Sequence, residues 1–396
     1  MDNFIVFEMV ENSDTLTPIG IVENYISLMY TKYATDTGSF ELCLPYSQNI
    51  LDLVKRTNEL ERFILLDDNI MGICQKVNPI IDVDERKIMV QGCLANGLLD
   101  NYSVAKIERL KTATSSPQNL LNFPLSLQYA FQNFPDNISG GIWAGINYNL
   151  PSDYRDQSWD FVDGYVGGRC SYEHYIKNCV RQLDKCYSLD FSIANNNFDL
   201  NVYSPKDRTV NQNQNQNQNS PVIISTKFGD ILSSQYYLNT KNYKNIIVAY
   251  AIIADKYYEQ IVTYDDIEIL PSYPMEKRKV AYVEIIDISN VDEDGNELSE
   301  QDILGLLKQK GKEELYEYAL ISEYNCKLNQ NTKFKLGIDF DLGDKITIQD
   351  SEMDLLLDAK ITGYTKTKSL NGETFEPIVG IPQPTLTQML KRKGVI

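Results

Sequence analysis

One histidine, two tryptophans and no long apolar run stand out among these 396 residues. Because His174 is alone, no group of histidines can hold a metal, and any Ser–His or Cys–His dyad would have to use this one imidazole. A helix-surface or interfacial histidine is the simpler reading. The seven cysteines, at positions 43, 74, 93, 170, 179, 186 and 326, are odd in number and form no C-x-x-C pair, which points to free thiols in a reducing compartment. Cys170, Cys179 and Cys186 lie near one another without zinc spacing and read as buried helix thiols. The longest strongly apolar stretch, 246–254, is far short of the roughly 20 residues a membrane span needs. The opening Met1-Asp2-Asn3 lacks the basic segment and apolar core of a secretory signal, so synthesis and assembly in the cytoplasm are expected. Basic charge is scarce as well: 37 Lys and Arg face 55 Asp and Glu, a net charge of −18. Such a chain repels phosphate and has no basic stripe, which argues against stable nucleic-acid binding. Passage of DNA along an anionic wall without sticking stays compatible.

What the sequence has in plenty is tyrosine, 26 residues, with 14 phenylalanines and many Ile, Val and Asn. Aromatic and β-branched side chains suit pleated surfaces, so a β-rich α+β chain is expected. Alternation predicts strands at 4–7, 19–30, 38–44, 62–66, 71–81 and 87–93, with a helical turn at 49–54. Ser116-Pro117 starts a helix ending near Pro135, and Tyr172, Tyr175, Ile176, Cys179 and Leu183 stripe a second over 171–186. Strands at 189–193 and 198–202 meet across Asn195-Asn196-Asn197 as a hairpin. Gln/Asn alternation at 211–219 cannot bury apolar surface and reads as a mobile surface loop within 209–221. Further strands are predicted at 222–225, 244–254, 260–264, 280–288, 321–328, 334–340, 345–349, 359–368 and 374–381. A helix over 300–320 is capped by Ser299 with Asp302 three residues on.

Candidate chemistry is sparse. Gly140-Gly141, Gly164 and Gly167-Gly168 fit neither a dinucleotide fingerprint nor a P-loop, and no residue pattern calls for a cofactor. Asp339, Asp341 and Asp344 cluster, with Asp339 and Asp341 on one face of the predicted strand; such a trio can ligate calcium or serve as paired carboxylates. Asp341-Leu342-Gly343-Asp344 also reads as turn punctuation between two strands, the reading preferred here. Asp292, Asp294 and Asn296 open like an EF-hand loop, but Glu297 and Ile303 fill its glycine and bidentate glutamate positions. Tyr257-Tyr258 and the group Trp143, Tyr148, Tyr154 and Trp159 could stack on sugars, although core and interface packing is the default in so tyrosine-rich a chain.

Three segments in order carry a resemblance. They are Tyr25-Ile-Ser-Leu-Met-Tyr-Thr-Lys-Tyr33 with Gly38-Ser-Phe-Glu-Leu-Cys-Leu-Pro45, then Ser225-Thr-Lys-Phe-Gly-Asp-Ile-Leu-Ser-Ser234 with Tyr236-Tyr237, and Gly337-Ile-Asp-Phe-Asp-Leu-Gly-Asp-Lys-Ile-Thr347. Together the chain resembles the tail-tip or baseplate-hub proteins of siphophages, which share a fold with contractile-tail hubs. Asp230 departs from the asparagine frequent there, and the Gln/Asn loop is its own. The resemblance implies two β-barrel-like hub domains flanking a mixed middle: 1–105, 106–320 and 321–385, before a basic tail over 386–396. It also implies a homotrimer at the tail tip of a virion, matching a six-fold tube. The partners implied are a distal tail protein, a tape measure protein and receptor-binding or fibre proteins, with DNA passing transiently. No further domain is expected after residue 385. The expected role is structural, without catalysis; the alternatives are a tail-tip cell-wall hydrolase using the aspartate trio and a saccharide-binding receptor module.

Overall fold

The computed structural model of the chain describes residues 3–9, 16–55, 62–83, 85–101, 103–104, 123–125, 127–128, 146–154, 170–212, 219–263, 277–286, 288, 298–318, 321–329, 332–370 and 372–380. It is mostly β-sheet. The first unit comprises β1 (Phe4–Met9), β2 (Leu16–Val22), β3 (Ser27–Tyr33), β4 (Ser39–Pro45), the short helix α1 (Gln48–Val54), β5 (Arg62–Asp67), β6 (Ile70–Ile81) and β7 (Arg86–Leu94). The single strand expected at 19–30 is two: β2 pairs with β1 and β3 with β4, and polar Glu23-Asn24 lies in the break between them. Ser47 caps α1 by accepting from the Ile50 amide at 3.1 Å.

A middle layer follows: β8 (Ser103–Val104), β9 (Ile146–Asn149), β10 (Cys170–Ser171), α2 (Tyr172–Gln182), β11 (Cys186–Ser192) and β12 (Asn197–Tyr203). The expected hairpin is present, with Asn196 in the left-handed region at its turn. Apolar residues of α2 and this hairpin pack with Phe7, Phe63, Met71 and Ile73 of the first unit in one buried core. Of the helix expected after Ser116, residues 123–125 and 127–128 are helical, and the remainder lies outside the described residues, as do Gln/Asn positions 213–218.

The short β13 (Asp207–Arg208) and β14 (Ile223–Ser225) precede β15 (Ile231–Asn239). Next comes an α/β insertion with its own core: β16 (Ile246–Ile253), β17 (Lys256–Thr263), β18 (Val280–Glu284) and α3 (Glu300–Glu317). Ser299 caps α3, accepting from the Asp302 amide at 3.2 Å. Gly311 lets α3 sit close to the sheet, since a Cβ there would come within 2.8 Å of Val262 Cγ2. The chain then returns through β19 (Ile321–Leu328), β20 (Lys345–Asp350), β21 (Leu355–Ser369) and β22 (Gly372–Gly380). No strand forms at 334–340. One Leu336–Phe340 bridge closes a turn in which Gly337 takes a positive φ, so Asp339 and Asp341 do not share a strand face. Among the described residues no helix is long and apolar enough to cross a membrane.

The two ends of the chain belong to one sheet. Its order is β15-β19-β22-β21-β3-β4-β7-β6-β5-β1-β2, with β20 attached to β21 and with β13 and β14 to β20. β21 joins β3 over seven residue pairs, from Gly363 opposite Tyr33 to Ser369 opposite Ser27. At Gly363 a Cβ would lie 2.7 Å from the Tyr33 ring, so glycine permits the close start of this seam. One core contains Leu28, Tyr30, Leu42 and Val90 together with Tyr324, Ile346, Ile361 and Val379. The sequence reading expects barrel-like units. Among the described residues no closed barrel is present, because the strand path ends openly at β15 and β2.

The order repeats within the chain. β15, β19, β20, β21 and β22 neighbour one another as β3, β4, β5, β6 and β7 do. The long strands β6 and β21 each carry an irregularity, between Cys74 and Lys76 and between Ile361 and Gly363. The α/β insertion occupies the place of the short 34–38 connection.

Candidate functional site

The aspartates singled out in the sequence are built into structure. Asp344 is buried, accepting from Arg208 Nε at 2.8 Å, the Lys206 amide at 2.7 Å and the Asp341 amide at 3.0 Å. Its oxygens are thereby committed to a buried ion pair and two amides. The Asp339 carboxylate caps its own turn, accepting from the Lys335 amide at 2.8 Å, and Asp341 is exposed. The three carboxylates therefore do not converge on a common point, and among the described residues no group of three His, Cys, Asp or Glu side chains is placed to hold a metal ion. His174 lies exposed in the first turn of α2. Burial pushes the thiols of Cys74 and Cys326 up to about 12 and that of Cys186 to about 11, which keeps them protonated and weakly nucleophilic. Of the proposed aromatic group, Tyr148 donates to the Pro124 carbonyl at 3.1 Å, and Trp143 and Trp159 lie outside the described residues, as do the Asp292–Asn296 loop and the glycines at 140–168.

The feature that the sequence did not single out is an eight-strand surface, β15-β19-β22-β21-β3-β4-β7-β6. Strand alternation sends Leu28, Tyr30, Phe40, Leu42, Val90 and Tyr324 into the core. The opposite face carries Thr31, Glu41, Gln91, Thr365, Thr367, Thr374, Asn325 and Gln235. Hydroxyls and amides dominate it. Thr31 and Thr365 hydroxyls meet at 2.9 Å across the seam, and Gln91 donates to Glu41 at 2.6 Å. Over β3, β4, β6 and β7 the face forms a shallow concavity of about 420 Å³ that includes Met29, Thr31, Glu41, Lys76 and Gln91.

The seam is held on its core side by charge. Asp67, at the end of β5, accepts from Tyr30 at 2.9 Å, from Lys366 at 2.7 Å and from Lys368 at 3.3 Å. Burial alone would raise the Asp67 carboxyl, but Lys366, Tyr30 and Lys368 outweigh it and hold it below the ordinary carboxylate range. Asp350 holds the corresponding place at the end of β20. It is fully buried, and accepts from Tyr324 at 2.7 Å, Ser234 at 2.6 Å and the Glu352 and Met353 amides. No lysine reaches it in the described contacts.

Two strand edges lie open at the ends of this surface. Among the described residues β6 pairs with β5 only up to Ile73, so its later residues meet β7 on one side and no described strand on the other. There Pro79 and Ile81, on the core-side face, are exposed, Ile81 by 58%. Among the described residues β15 pairs only with β19, and its core-side Tyr236 and Leu238 are also exposed, Leu238 by 51%. Unpaired edges with apolar side chains attract another strand.

A family model described as Siphovirus ReqiPepy6 Gp37-like protein matches residues 10–381. No curated protein matches the chain. Among solved structures, prophage tail protein gp18 from Listeria monocytogenes EGD-e is similar with a TM-score of 0.51 at 9% identity, over 100% of this chain and 99% of that one. The tail protein from Neisseria meningitidis MC58 gives 0.50 at 12% identity over 96% of each chain. The 43 kDa tail protein of prophage MuSo2 from Shewanella oneidensis gives 0.50 at 9% identity, over 96% of this chain and 99% of that one. At such identities the likeness is one of fold.

Proposed function

The chain belongs to the Siphovirus ReqiPepy6 Gp37-like protein family, and from that premise we propose that it is the homotrimeric hub closing the distal end of a phage tail tube. It is a structural protein of a phage tail, of the baseplate or tail-tip type. The single observation that carries the trimer is the pair of open edges read against the seam. β21 corresponds to β6 and β15 to β3, so the β21–β3 seam inside one chain is the template for β6 pairing with β15 of the next. Strand directions alternate along the surface, so this contact is antiparallel like the others. Transferring the seam's register sets Val77 opposite Leu238 and Pro79 opposite Tyr236. Each contact then covers apolar side chains that a lone chain exposes.

A head-to-tail contact of this kind must close or grow into a filament. Two similar five-strand units per chain, β3–β7 and β15 with β19–β22, give six in a trimer, in keeping with a six-fold tube. Three copies bring together about 24 strands, and at roughly 4.8 Å per strand the ring is about 37 Å across before tilt widens it. The hydroxyl- and amide-rich face would line the channel, where few cations are present to retain a passing duplex. Around this ring the distal tail protein, the tape measure protein and receptor-binding or fibre proteins would dock, and displacement of its units on host contact would open the tip for DNA ejection. We assign it no catalytic role, since its buried aspartates are committed to structural partners. Val77→Cys combined with Leu238→Cys tests the contact: oxidation should give covalent trimers that neither single variant gives. Monomers alone would overturn the arrangement.

A further inference from the structure

Among the described residues, one sheet face of the α/β insertion has no partner. α3 covers the side bearing Ile247, Ala249, Ala251 and Val262. The other side presents three tyrosines: Tyr257 is 54% exposed and stacked on Tyr250 at 5.8 Å between centroids, and Tyr282 is 75% exposed. Cross-strand pairing sets Glu259 on one flank of Tyr250 and Glu284 on the other. Ile252 and Ile261, also exposed, complete the patch. Aromatic rings between two carboxylates, edged by aliphatic side chains, suit a segment that joins a basic cluster to apolar residues.

The sequence contains such a segment. Residues 381–396 hold Lys391, Arg392 and Lys393 with no acidic side chain, and Leu386, Met389 and Leu390 precede them. The insertion, residues 241–320, carries 17 acidic against nine basic side chains, a net of −8. The starting point also fits. β22 ends at Gly380 opposite Glu323, two residues from Ile321, which pairs with Asn239 where the insertion leaves the sheet. Sixteen residues reach about 50 Å when extended, ample for crossing one small sheet.

We propose that the chain's own 381–396 segment folds back onto the Tyr250, Tyr257 and Tyr282 face, its basic residues between Glu259 and Glu284 and its apolar ones on Ile252 and Ile261. The latch is a property of a single chain and does not require the ring. Its test is the rate of chemical nitration of Tyr257 and Tyr282, read by mass spectrometry. Compared with the full chain, both a chain shortened at residue 380 and the variant Lys391→Glu with Arg392→Glu and Lys393→Glu should react several-fold faster at these two tyrosines. A synthetic peptide of residues 381–396 should restore protection to the shortened chain, less so at high salt, and not when Glu259→Lys and Glu284→Lys are present. Equal rates in the full and shortened chains would overturn the proposal. So would protection that grows with protein concentration, because a neighbouring copy would then be the occupant.

Discussion

At the scale of single residues, the carboxylates that looked like chemistry are anchors. Asp67 ties the strands near the start of the chain to those near its end through Tyr30, Lys366 and Lys368, the last nearly buried. Asp67→Ala would remove the carboxylate that Lys366 and Lys368 share, Lys366 keeping its half-exposed partner Glu373, so a loss of about 2–4 kcal/mol is expected in denaturant unfolding, the lower figure reflecting partial exposure. The folded Asp67 carboxyl lies below its unfolded value, so its contribution is present above about pH 4 and fades as the pH falls through the folded value. Asp67→Asn should flatten that acid limb, and an unchanged profile would refute the assignment. Asp344→Ala should cost about 3 kcal/mol, because the largely covered Arg208 would lose this carboxylate. Added calcium should leave the melting temperature of the native chain unchanged; a rise that Asp344→Ala abolishes would restore the calcium reading.

Among the elements, the strands legible in the sequence are those with one buried face. Phe40, Leu42 and Leu44 alternate with Ser39, Glu41 and Cys43, and the strand follows that alternation. The hairpin from Cys186 to Tyr203 and α3 behind Ser299 were equally readable, from turn and cap chemistry. β15 was not, because most of its residues are exposed on an open edge and no apolar rhythm marks it. The 334–340 segment misled in the opposite sense: Phe334, Leu336 and Phe340 alternate, but Gly337 reverses the chain between them. The seam itself is invisible to local pattern, since it joins Thr31 to Thr365 across 334 positions of sequence. The two kinds of seam differ in chemistry as well. Lys366 and Lys368 grip Asp67 inside the chain, whereas Pro79 and Ile81 take their places at the open edge. The proposed contact between chains would thus be apolar and separable while the internal one is ionic, which suits the ring proposed above. Leu238→Lys should therefore abolish oligomers while leaving the melting transition of the chain within about 0.5 kcal/mol, because Leu238 is exposed in the monomer. Retained oligomers would show that β15 is not the contact.

For the whole molecule, the sequence made a β-rich phage tail protein readable from three ordered segments, while its architecture needed coordinates. One continuous open sheet with a shared core stands where two barrel-like units were expected, and its repeat of five strands would let one chain supply two similar parts of the proposed ring. The abundance of acidic residues agrees with the proposed channel, which would conduct DNA without holding it. The central claim is closure by three copies, and native mass spectrometry of the purified chain tests it most directly. A single chain weighs 45.3 kDa, so the account predicts a dominant species near 136 kDa. A chain that stays at 45.3 kDa at every concentration, or that stops at a dimer, would contradict it.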